Sequence, residues 1–108
     1  MLQHQFQRSE TSKDPYLTQK IMSANPEQLI SYIYDAVISA CYQRDQERVL
    51  RGLMMLIKAL NYDYQEVAMP LFKLYQYCLE RARRNDYSEV EELMVGVRSA
   101  WVEAMKAN

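Results

Sequence analysis

The sequence predicts an all-α protein: an antiparallel up-down-up-down four-helix bundle over residues 25–108, preceded by a flexible N-terminal arm and clasp at 1–24. Three observations predict it. Apolar residues recur at steps of three and four in four successive stretches of about 17–20 residues. The polar links between them are about 2–5 residues long, too short for anything but antiparallel neighbours. The 108 residues include only two glycines and three prolines, too few for a sheet built on turns.

Residues 1–14 are polar and aperiodic, so they read as the arm. Tyr16, Leu17, Ile21 and Met22 follow; they are apolar enough to pack but too short a piece for a core helix, and read as a clasp on the bundle surface. The first helix begins at Asn25-Pro26-Glu27-Gln28, with Asn25 as N-cap and Pro26 where its missing N–H is harmless. Leu29, Ile30, Ile33, Tyr34, Val37, Ala40 and Cys41 form its stripe, and it ends near Tyr42 or Gln43. The second runs from about Asp45, its N-cap, to Asn61, burying Val49, Leu50, Leu53, Leu56, Ile57 and Leu60. The third has capping-box spacing in Asp63-Tyr64-Gln65-Glu66, which favours a start near Tyr64 with a kink at Pro70; the alternative is a start at Met69. Its stripe is Val67, Leu71, Leu74, Tyr75, Cys78, Leu79 and Ala82. The fourth, capped by Asp86 or Ser88, buries Val90, Leu93, Met94, Val97, Trp101, Ala104 and Met105, and its mid-helix Gly96 suggests a close contact.

Composition narrows the chemistry. A net charge of −1 gives no field drawing nucleic acid or an acidic membrane, so neither nucleic-acid binding nor membrane insertion is expected. There is no apolar run long enough to span a bilayer and no signal-peptide h-region, so the expected compartment is the cytoplasm. Cys41 and Cys78 read as buried, reduced thiols. One histidine, His4, lies in the polar arm, so no metal site, Glu-x-x-His bundle site or Ser-His pair is expected. No glycine-rich phosphate loop occurs. Glu91 and Glu92 point in different directions, and Arg81, Arg83 and Arg84 suit the negative end of a helix dipole. The chain therefore reads as a non-enzyme with no cofactor and no catalytic residues.

The excess lies on the second helix. At 100° per residue Met55 falls almost opposite the core stripe and Met54 at its edge, while Gly52 and Ala59 form a small-residue strip beside Leu56. Methionine adapts its shape to an incoming segment. Met54, Met55, Leu56 and Ala59 are accordingly the candidate partner-binding residues, with Phe72 and Tyr77 from the third helix as off-stripe aromatics.

Several short stretches share a pattern with a known family. They are Asp14-Pro15-Tyr16 with Gln19, the run from Ser23 to Ile30, Tyr34-Asp35, Leu60-Asn61 with Asp63, Leu74-Tyr75-Gln76-Tyr77, and Arg98-Ser99-Ala100-Trp101. In this order, from Asp14 to Lys106, the sequence resembles the flagellin export chaperones of the FliS family. It departs from the pattern at Ala36, where the family has glycine, and at Pro70. The resemblance implies a cytoplasmic four-helix chaperone. Such a chaperone binds the C-terminal segment of flagellin, prevents premature polymerisation and assists type III export in bacterial flagellum biogenesis, with the flagellar export apparatus as a further partner. It also implies that Tyr16, Ile21 and Met22 cover the cargo surface of the free chaperone. A monomer is expected, with a homodimer as the other state. The alternative function is a helical interaction module for another cargo, or a homo-oligomerising bundle. An arginine-lined enzyme would need cations inside the apolar stripes, which the pattern does not provide.

Overall fold

The computed structural model describes residues 15, 19 and 26–107. The expected clasp residues Tyr16, Ile21 and Met22 lie outside the described residues. Four helices follow one another: α1 Pro26–Tyr42, α2 Gln46–Ala59, α3 Gln65–Arg83 and α4 Tyr87–Ala107, with no strand among the described residues. Each packs on its chain neighbour, and α1 also packs on α4, which closes the ring of a four-helix bundle. The directions alternate. Residue 27 of α1 meets 101 of α4, and 35 meets 98. Gln46 at the start of α2 meets Ala82 at the end of α3.

The interior is the set of apolar stripes folded together. Tyr34, Val37, Ala40 and Cys41 face Val49, Leu53, Leu56, Tyr75, Cys78, Leu79, Ala82, Val90 and Met94, and all are buried. Ser31 joins them, which its polarity did not suggest, and its hydroxyl has no hydrogen-bond partner. Three stripe assignments fail at the ends of helices. Leu29 is partly exposed, Val67 is 62% exposed, and Ala104 is exposed. These positions lie in the first or last turn of a helix.

Two of the three connections are built alike. After α1, Arg44 adopts a left-handed conformation (φ 57°); its N–H donates to the Cys41 carbonyl at 3.0 Å and the Asp45 N–H to the Ala40 carbonyl at 2.9 Å. After α3, Asn85 does the same (φ 62°), with the Asn85 N–H on Ala82 at 3.0 Å and the Asp86 N–H on Arg81 at 2.9 Å. Both are Schellman endings. In each, the following aspartate then caps the next helix: Asp45 accepts from the Arg48 N–H at 3.3 Å and Asp86 from the Glu89 N–H at 3.4 Å. Two guanidinium nitrogens of Arg81 also reach Asp86, at 2.7 and 3.2 Å, and hold its carboxyl below the usual carboxylate range. That pair explains one of the three clustered arginines as a helix-end clamp.

The α2–α3 link differs. Helix α2 stops at Ala59, a half-turn before the expected Asn61, because Leu60 is extended (φ −67°, ψ 141°). Helix α3 starts where the favoured reading put it and runs through Pro70 as one helix. Pro70 and Glu66, whose carbonyl loses the bond that proline cannot supply, are both exposed to solvent. Asp63 does not cap α3, contrary to the capping-box reading; Tyr64 is the N-cap and its side chain makes no cap bond. Gly96 makes no close contact either, since nothing lies within 4 Å of a Cβ built there.

Candidate functional site

The expected partner-binding residues do not form one site: two separate hollows take three of them, and the other three lie apart. Met55 is 49% exposed and lies in an apolar groove of about 390 Å³ between α1 and α2. Leu29, Ile33 and Ala36 form the α1 side of this groove; Gly52, Met55 and the guanidinium-bearing Arg48 and Arg51 form the α2 side. Gly52 sets how closely the two helices approach. A Cβ added there would stand 2.4 Å from Cγ2 of Val37, so only glycine fits beneath the floor. The arginines are engaged on the surface: Arg48 donates to Gln43 at 3.2 Å and Arg51 pairs with Glu47 at 2.8 Å.

Leu56 and Ala59 belong to a second hollow. It lies at the end of the bundle that carries the α2–α3 link and encloses about 280 Å³. Leu56 is a core residue, 2% exposed, while Ala59 stands on the open wall. Tyr34 and Tyr75 also line this cavity, their hydroxyls 2.6 Å apart. Trp101 closes another side, edge-on to Tyr34 with ring centres 6.4 Å apart, and its indole N–H donates to the Glu27 carbonyl at 3.1 Å.

Phe72 and Tyr77 join neither hollow. Phe72 is half-buried under Tyr62, edge to face at 6.5 Å, and the Tyr62 hydroxyl donates to the Ile57 carbonyl at 2.9 Å. Tyr77 lies on the α3–α4 seam, where its hydroxyl donates to Glu89 at 2.9 Å. Met54 is exposed on α2 outside both cavities. Of the six residues, the structure thus unites only Leu56 and Ala59, and it gives Met55 partners from α1 that α2 alone could not reveal. Leu29, Ile33 and Ala36 were missed because each sits within or beside α1's own stripe; no signal in one helix says which stripe residues stay uncovered at a seam.

The electrostatics are quiet. Burial pushes the Cys41 thiol up to about 11 and the Cys78 thiol up to about 12, so neither is a nucleophile at neutral pH. Burial also lifts the Tyr34 and Tyr75 phenols above their ordinary range. Among the described residues no group of three or more potential ligands could hold a metal ion, and no helix is long and apolar enough to cross a membrane. The described lining of both hollows is mainly apolar.

Three of the short stretches that carry the family resemblance meet in space. Asp35 is ion-paired to Arg98, Tyr34 packs on Trp101, and Tyr34 bonds Tyr75. No known protein family, curated protein or solved structure matches the chain.

Proposed function

We propose that the chain is a non-enzymatic binding protein whose α1–α2 groove receives an apolar helical segment of a partner. The partner is the C-terminal segment of a flagellin, held in the cytoplasm against premature polymerisation and passed to the flagellar type III export apparatus. One observation carries the binding role. The groove of about 390 Å³ has apolar side chains on its α1 wall, and on its α2 wall a half-exposed methionine lies beside Gly52 and the stems of Arg48 and Arg51. Its size falls within the usual range of binding clefts. The choice of cargo rests on the resemblance, and the meeting of Tyr34, Asp35, Tyr75, Arg98 and Trp101 supports it, because separate motif stretches then serve one structural purpose.

Calorimetric titration with a flagellin C-terminal peptide tests this reading. Wild type is expected to bind one peptide per chain. Met55→Asp is expected to weaken binding roughly tenfold or more, because a carboxylate would have to be desolvated under the peptide. Its circular dichroism should be unchanged, since residue 55 is outside the core. No binding by wild type, or equal binding by the folded variant, would refute the proposal. A stable dimer in light scattering that is lost with Met55→Asp would assign the groove to a second copy instead.

A further inference from the structure

The tyrosine pair at the base of the end cavity has a surplus proton. Each phenol carries one hydrogen, and their mutual bond uses only one of the two, whichever hydroxyl donates. Neither hydroxyl has a further partner among the described residues. Tyr34 is 2% exposed and Tyr75 1%, and both line the recess, so whatever meets the spare donor enters through it. Both phenols stay protonated at neutral pH, because burial raises them. A ligand acceptor that enters the recess takes that hydrogen in place of water, a net gain of one hydrogen bond's usual size.

The rest of the cavity defines what would bring that acceptor. Among the described residues no charged side chain lines it, so a charged ligand would be desolvated without compensation from them. Walls come from all four helices, with Ile30, Leu56, Leu71 and Trp101 among them, which makes a recess instead of a channel that a helix runs along. The indole N–H of Trp101 is already committed to Glu27, leaving the tyrosine pair as the buried donor. The volume of about 280 Å³ exceeds that of a cavity of about 150 Å³, which holds a single benzene ring.

We propose that this recess binds a small neutral ligand with a largely apolar body of one or two rings, whose single carbonyl or ether oxygen accepts a hydrogen bond from the Tyr34–Tyr75 pair. This site is separate from the α1–α2 groove and does not depend on the identity of the cargo.

Two probes of nearly equal shape test it, 1-indanone and its hydrocarbon counterpart indane. Trp101 is the only tryptophan in the chain, so its indole N–H resonance reports occupancy at this place. The full-length protein is expected to bind both, with indanone favoured roughly fivefold, the size of one net hydrogen bond. Tyr34→Phe/Tyr75→Phe should bind indane as before and lose the preference. Tyr75→Phe alone should keep it, because Tyr34 retains its own proton. Ala59→Phe, placed on the exposed wall, should fill the recess and abolish binding of both probes, giving a second readout if the double variant does not fold. The proposal fails if the Trp101 resonance does not move, if the wild type binds both probes equally, or if the preference survives in the folded double variant. It also fails if binding appears only after residues 1–24 are removed, which would show that the chain itself fills the recess.

Discussion

At one end of the bundle the α1–α2 and α3–α4 links lie side by side; at the other stands the α2–α3 link. The first end is tied shut. Gln46 donates to the Ala82 carbonyl at 3.1 Å and to Asn85 at 3.2 Å, Arg44 lies over the Tyr87 ring at 5.7 Å, and the Tyr87 hydroxyl bonds Asn85 at 2.9 Å. The second end keeps a cavity, an uncapped helix start, and exposed Tyr64 and Val67. The links of the tied end, Gln43-Arg44-Asp45 and Arg84-Asn85-Asp86, are wholly polar, whereas the α2–α3 link carries Leu60, Tyr62 and Tyr64. The polar groups are also used differently: Gln46 at the tied end reaches the terminus of α3, while the Asn61 carboxamide at the other end accepts from the Asp63 N–H of its own loop. The open end has a cross-link of its own, from Trp101 to Glu27, but none between the ends of α2 and α3 to match Gln46 and Ala82 among the described residues.

An alanine from each end sharpens this contrast. Ala82→Leu, at a fully buried position in the tied end, should lose about 2–3 kcal/mol by overpacking in urea denaturation. A smaller but opposite change is expected at Arg44, whose left-handed backbone strains any residue with a Cβ. Arg44→Gly should stabilise the protein by about 0.5–1 kcal/mol, less whatever the contact with Tyr87 contributes. Ala59→Leu, on the cavity wall of the open end, should stay within about 0.5 kcal/mol of wild type. Equal losses for the two leucine variants would show that the ends do not differ in packing.

The helices were legible because their stripes keep one period throughout, and three of the four boundaries visible at helix starts followed from caps or link charges. Positions 44 and 85 were not legible as left-handed, since neither is glycine. Val67 looked like core because periodicity records the face a residue occupies, not whether another helix extends far enough to cover it. The second sector of α2 was legible through Met55, but its division was not. Gly52 and Met55 turned out to face α1, whereas Ala59 opens onto the end cavity. The Tyr34–Tyr75 bond was beyond the sequence for a related reason: α1 and α3 are not consecutive, and only the closed ring of helices sets their relative height.

The contact between Gly52 and Val37 makes the fate of each residue depend on the other. Gly52→Ala on its own gains helix propensity but drives a methyl into a stiff, fully buried valine, so it should destabilise. Val37→Ala on its own leaves a void. Together, the new methyl enters the space the old one left. A double-mutant cycle should therefore return a coupling of about 0.5–3 kcal/mol in favour of the double variant, and independent effects would contradict the close approach. The order of change then matters: either single step passes through a weaker protein. Positions 37 and 52 form an epistatic pair that fixes the width of the α1–α2 groove without either residue being replaced freely.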